Sequence, residues 1–173
     1  MNALLLFIVL ALLFGASLWL VHFWAQGFLQ NRRHGLVTAI NIAEGTHTNA
    51  ITKLTDAAIG TRFLLVKFGS DVGHIAVAGV ADKPLGICSD EAEGAEEPVA
   101  VQFLGATNET RKCVVSEAIA LTDDLYQAAG GKVSNLPAGS GTYWKVGRPL
   151  QAAAGDGEVI EFESHAPVAV VVS

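Results

Sequence analysis

The chain has 173 residues, 51% of them hydrophobic and 16% charged, with a formal net charge of −6 and a mean hydropathy of +0.41. An anionic chain without a basic face excludes a protein that grips nucleic acid through its phosphates. All 11 Lys/Arg and all 17 Asp/Glu lie after Gln30, so the high hydropathy comes from an uncharged leader joined to a body of ordinary charge density.

In the leader, residues 3–24 have only Ser17 and His22 as polar side chains. As a helix this stretch spans ~33 Å, enough for a bilayer core of ~30 Å. Trp19, Phe23, Trp24 and Phe28 gather at its end like an interfacial aromatic belt, and Arg32-Arg33 follow. A cleaved signal peptide would carry its positive charge first and be shorter. Residues 1–30 therefore read as a hydrophobic, transmembrane-like helix, with the positive-inside rule placing the body on the cytoplasmic side. A start assigned too far upstream is the other reading. Met1 is the only methionine, so a shorter product would begin at a non-Met codon near Leu36 or Val37.

Residues 31–56 read as a linker or extended arm, polar and without clear period over 41–56. A β-domain is expected over 57–173. Its first run, 62–68, is densely apolar and reads as a strand buried on both faces. Gly69-Ser70-Asp71-Val72-Gly73 breaks it, and His74-Ile75-Ala76-Val77-Ala78 returns. Asp82-Lys83-Pro84 turns into Leu85-Gly86-Ile87-Cys88. Residues 89–97 form an acidic segment, and 99–103 follow with Val99, Val101 and Phe103 on one face.

After a strand at 111–115, Ile119-Ala120-Leu121 is stopped by Thr122-Asp123-Asp124. Leu125-Tyr126-Gln127 is turned by Gly130-Gly131 into Lys132-Val133. Residues 142–146 come next, interrupted by Gly147 and Pro149. Gly155-Asp156-Gly157 launches 158–163, where Ile160 and Phe162 face a core, and 168–172 close the chain. Turn residues recur every ~8–12 positions between runs too short for helices, the signature of a sandwich or barrel. The expected fold is all-β, a single small barrel or sandwich of about nine short strands. Its expected core includes Phe63, Leu65, Val101, Phe103, Trp144, Ile160 and Phe162.

One block is written twice. Moving Gly86, Ala92, Gly94 and Glu97 by 61 positions lands on Gly147, Ala153, Gly155 and Glu158, with Val99 on Ile160 and Val101 on Phe162. Duplication is one explanation. Two unrelated hairpins with similar turn chemistry is the other.

Catalytic chemistry is absent from the motifs. There is no G-x-S-x-G, H-E-x-x-H, C-x-x-C or G-x-G-x-x-G, so the chain is not expected to be an enzyme, and no cofactor is expected. His22, His34, His47, His74 and His165 never fall within ligand spacing of one another, and no metal site is assigned. Asp90, Glu91, Glu93, Glu96 and Glu97 lack the alternation of a calcium loop and read as a solvated acidic loop. Asn108-Glu109-Thr110 matches a glycosylation sequon by pattern, at a rate close to chance. With the body on the cytoplasmic side, Cys88 and Cys113 read as reduced core residues; a disulfide between them is the other reading, since pairing is not legible from spacing.

Several runs resemble the head-decoration, or capsid cement, proteins of tailed bacteriophages. They are Ala57-Ala58-Ile59, Arg62-Phe63-Leu64-Leu65-Val66-Lys67 and Pro84-Leu85-Gly86-Ile87-Cys88-Ser89-Asp90-Glu91-Ala92 in the first half. Ser116-Glu117-Ala118-Ile119, Asp124-Leu125-Tyr126, Gly130-Gly131-Lys132-Val133, Val146-Gly147-Arg148-Pro149-Leu150 and Gly157-Glu158-Val159-Ile160-Glu161 follow in the second. The resemblance covers roughly residues 41–172 and rests on turn-and-strand patterns. It implies a β-rich structural virion protein that associates as a homotrimer and binds the major capsid protein on the outside of the head, stabilising the shell. It implies no catalytic residues and no nucleic-acid partner. The leader departs from that pattern. It supports the alternative of a membrane-tethered β-barrel scaffold on the cytoplasmic face, held in the bilayer by residues 3–24.

Overall fold

A computed structural model of the chain describes residues 50–106 and 109–173. They fold into two five-stranded units without an α-helix. In the first unit, β1 (Ala50–Thr55), β2 (Leu64–Phe68), β3 (His74–Val77), β4 (Gly86–Cys88) and β5 (Pro98–Phe103) close a barrel in the order β1-β3-β2-β4-β5. β1 and β3 run parallel and every other pair is antiparallel.

The second unit has β6 (Thr110–Val114), β7 (Leu125–Gln127), β8 (Val133–Ser134), β9 (Gly141–Pro149) and β10 (Val159–Val172), in the order β6-β10-β9-β7-β8. A 3₁₀ turn, Ala129–Gly131, links β7 to β8. Read as a ring, this is the first unit's order with β6 standing for β1 and β10 for β5. The seam between β8 and β6 is a single parallel bridge, Val115 to Val133. It matches the pairing of Thr55 with Ile75 in the first unit.

Duplication is the correct reading of the repeated block, because the hydrogen bonds repeat as well as the residues. Ile59 and Ala92 exchange backbone hydrogen bonds, and so do Ile119 and Ala153. Ala50 opposes Gln102 as Thr110 opposes Glu163. Gly86 and Gly147 occupy equivalent crossings where strands run close. A Cβ on Gly86 would lie 2.4 Å from the Gln102 carbonyl oxygen, and on Gly147 2.1 Å from that of Glu163. Side chains at these positions are excluded by contact.

Two apolar clusters form the core. Ile59, Leu64, Val66, Ile75, Cys88, Val99 and Val101 fill the first barrel. Cys113, Val115, Ile119, Leu125, Val133, Ile160 and Phe162 fill the second unit, where Leu65, Ala78, Ile87 and Leu104 of the first unit join them. Strand β2 is thus the shared wall. Its alternation sends Leu64 and Val66 to one cluster and Leu65 to the other, so these three are buried on both faces as expected, while Arg62 and Phe63 of the expected strand lie in the turn before it and Phe68 is exposed. Backbone bonds add to the joint: Gly131 N–H donates to Ala78 O at 2.9 Å, and the Gln127 amide donates to Gly79 O at 2.6 Å.

Several expectations need correction. The single barrel or sandwich of about nine strands is two units with ten strands among the described residues. Ala50–Thr55, read as part of the arm, is β1, paired over five positions with β5; its lack of a clear period hid a strand whose partner is distant in sequence. The separate strands at 158–163 and 168–172 are one, β10, and Gly147 lies inside β9, which runs on to end at Pro149. Ile119-Ala120-Leu121 makes only an isolated bridge. Leu65, Val101, Ile160 and Phe162 are buried, whereas Phe63, Phe103 and Trp144 are half-buried. Trp144 keeps its indole N–H on Ala81 O at 3.2 Å, at the edge of the joint. No helix among the described residues is long and apolar enough to cross a membrane. The hydrophobic helix expected over 1–30 lies outside those residues, as do positions 31–49 of the arm.

Candidate interaction surface

The second unit carries one feature with no counterpart in the first. Beyond the segments that match β4 and β5, strands β9 and β10 run on as a two-stranded ribbon, Val168 opposite Lys145 through Val172 opposite Gly141. A register shift between Ser164 and Val168 sets it off from the barrel. β6 pairs with β10 only from Val159 to Glu163, so the edge of β10 beyond that point carries no strand among the described residues. Residues 166–172 are uncharged. Val168 is 56% exposed and Val171 75% exposed. The first unit closes its barrel without such a ribbon, so barrel closure does not account for it.

The acidic segment is built into the backbone rather than gathered for a cation. The Asp90 carboxylate accepts the Ala100 N–H at 2.8 Å, and Glu97 accepts the Glu93 N–H at 3.1 Å. The second unit repeats both bonds, Gln151 accepting from Glu161 N–H at 3.1 Å and Glu158 from Ala154 N–H at 3.2 Å. Glu96 alone turns outward to a partner: its carboxylate lies 3.1 Å from Nε2 of His74, whose Nδ1 lies 2.8 Å from Asp71. Asp71 and then Glu96 raise the His74 pKa against its partial desolvation, and the His74 bond holds Asp71 below the usual carboxylate range. Sequence spacing could not show this, because the three groups come from a turn, a strand and a loop.

Cys88 and Cys113 are free and buried, Cys88 in the first cluster and Cys113 in the second. Burial raises both thiols, that of Cys113 to about 12, so neither is a nucleophile at neutral pH. Among the described residues no group of three His, Cys, Asp or Glu could hold a metal ion. A shallow cleft of about 370 Å³ lies between the units' linker and the foot of the ribbon, lined by Glu109, Thr110, Glu163 and His165. Glu109 pairs with Arg111 there at 2.8 Å, and Nε2 of His165 lies 3.6 Å from the Glu163 carboxylate. At the ribbon's base Lys145 and Arg148 flank Asp124, whose pKa is lowered chiefly by Lys145. His22, His34, His47 and Asn108 lie outside the described residues. What the surface offers is strand edge and apolar side chains, suited to assembly.

No protein-family model matches the chain. No curated protein sequence matches it. Among solved structures it is similar to the head fiber gp8.5 N base in bacteriophage phi29. That likeness has a TM-score of 0.50 at 16% identity and covers 69% of this chain and 96% of that one. It is a likeness of fold, and it agrees with an all-β architecture.

Proposed function

We propose that this chain is a structural virion protein that decorates a bacteriophage head, binding the major capsid protein on the outer surface of the shell and stabilising it. The observation that carries the reading is the fold shared with a phage head fiber base across nearly all of that base. The residue patterns of the body point to the same class of protein independently. The working unit is a homotrimer, assembled through β-edges and apolar side chains of the kind the ribbon exposes. The role needs no catalytic step and no cofactor. A body of 9 basic and 17 acidic residues after His34 gives it no nucleic-acid partner, because the packaged genome repels it.

Full-length protein in mild detergent, mixed with purified heads of the phage that encodes it, should co-sediment with the heads at saturating stoichiometry. Sedimentation of the free protein should show three times the monomer mass. Failure to bind the heads removes the decoration reading, and a strict monomer both free and on heads removes the trimer. The uncharged leader favours a second reading, a membrane-tethered scaffold on the cytoplasmic side. Under it the protein would stay with membranes in cells that hold no phage particles.

A further inference from the structure

The two units tie their rims at the same place with different chemistry. In the first, His74 opens β3 and reaches Glu96, in the turn that leads into β5. In the second, Lys132 stands immediately before β8 and reaches Asp156 at 2.5 Å, in the turn that leads into β10. Glu96 and Gly157 hold equivalent places, since Glu96 N–H donates to Thr55 O as Gly157 N–H donates to Val115 O. Both have left-handed backbones, with φ of 62° and 85°. Glycine is the unstrained choice there, so the glutamate keeps a disfavoured conformation while its carboxylate is held by His74.

The contacts around the ring fix its charge. Both nitrogens face carboxylate oxygens, Asp71 at 2.8 Å and Glu96 at 3.1 Å. Ionised carboxylates only accept, and a neutral imidazole has one N–H. Both bonds therefore exist only in the imidazolium. Loss of a proton leaves one lone pair facing an anion, and one of the two ties must open. The other charged groups on the surrounding elements are engaged elsewhere. Asp56, at the end of β1, holds Ser70 by its N–H and hydroxyl. Glu93 and Glu97 lie in the facing loop, joined by the backbone bond between them. Lys53 on β1 is turned to the Val72 carbonyl and the Phe68 ring.

We propose that the Asp71–His74–Glu96 bridge is a proton-operated latch on the first unit, closing its rim when His74 is charged and releasing it as the pH rises. The rim it closes is the seam at the end of β1. There Thr55 N–H bonds Glu97 O, Leu54 N–H bonds Gly73 O, and the Thr55 hydroxyl donates to Gly94 O. Because the folded state raises the His74 pKa, the latch is fully closed below the ordinary histidine value of about 6.5. It is lost as pH climbs through the folded-state value. The counterpart tie, Lys132–Asp156, holds no histidine, so the second unit serves as the internal reference. This inference stands apart from the virion reading.

The test is amide hydrogen exchange of full-length protein between about pH 5 and about pH 8, where only histidine among ordinary side chains changes charge. The Glu96 and Thr55 amides are compared with their counterparts Gly157 and Val115 in the same sample, which cancels the intrinsic pH dependence of exchange. The ratio of first-unit to second-unit exchange should rise severalfold with pH. His74→Lys should abolish that rise with the rim still closed, and His74→Gln should leave the rim open at every pH. A flat ratio in the wild-type protein overturns the latch. So does a His74→Lys variant as pH-dependent as wild type, or a His74 ring that titrates at or below the ordinary value by NMR.

Discussion

The first and second units share a strand order and a hydrogen-bond scheme, yet they differ at the seam, at the rim and in the ribbon. The first closes completely, with β1 paired to both β3 and β5. The second leaves its seam to one bridge and carries β9 and β10 outward instead. What recurs in both is what the backbone demands: a glycine where strands cross closely, an apolar residue at each bridge, and an acceptor oxygen over one exposed N–H. What differs is the chemistry of the surface. Asp90 in one unit and Gln151 in the other fill the same acceptor place, one charged and one neutral. A repeated unit thus separates, within one molecule, the residues that hold a fold from those free to differ.

The most damaging way to break the comparison is to remove the wall between the units. Leu65→Ala should cost about 2–5 kcal/mol, the range for emptying a fully buried leucine site. Although Leu65 belongs to a first-unit strand, its side chain sits in the second cluster. Chemical denaturation followed by hydrogen exchange should therefore show the larger loss of protection in β6, β7 and β10. A loss confined to β1–β5 would mean that the shared wall does not couple the units.

Gly86→Ala and Gly147→Ala test whether the crossing glycines are equivalent. Both new methyl groups meet a carbonyl oxygen far inside contact distance, at 2.4 Å and 2.1 Å. Overfilling a well-filled interior costs about 1–3 kcal/mol, and the closer approach places Gly147→Ala at the upper end. Urea denaturation midpoints read both. Two neutral substitutions would show that the strands separate freely there and that the shared glycines have no steric cause.

Asp90→Ala and Gln151→Ala are the mildest comparison. Each deletes one acceptor for one backbone N–H, worth about 1 kcal/mol for an ordinary hydrogen bond. Thermal denaturation at neutral pH should give nearly equal losses, despite the charge carried by one residue and not the other. A much larger loss for Asp90→Ala would show that the first unit relies on a charge there, and the acceptor argument would fail.

The legible parts of the fold were those encoded locally. Gly130-Gly131 and Gly155-Asp156-Gly157 mark real turns, and Gly130, Gly131 and Gly157 do adopt positive φ. Apolar alternation placed Ile160 and Phe162 inside, and the run at 62–68 announced the two buried faces that Leu64, Leu65 and Val66 supply. The repeated block was visible as six matching positions. Duplicated backbone bonds decide it, because hydrogen-bond equivalence is a property of paired strands and leaves little trace in a single chain. At the candidate surface the sequence marked the valine run as a strand and the acidic stretch as a loop. It could not show that the strand has an open edge, or that Glu96 meets a histidine 22 positions earlier.

Sequence by itself therefore determined that the body is all-β, where its chain reverses, and that it carries a net negative charge without catalytic motifs. These follow from backbone sterics, from the period of two and from simple counting, all of which act within a few residues. Tertiary structure decided that Ala50–Thr55 is a barrel strand, that β10 is one continuous strand, that Leu65 serves the neighbouring unit and that His74 bridges two carboxylates. Each depends on which segment lies alongside which. That choice is made by long-range pairing, whose free energy belongs to the assembled sheets and to no single stretch of the chain.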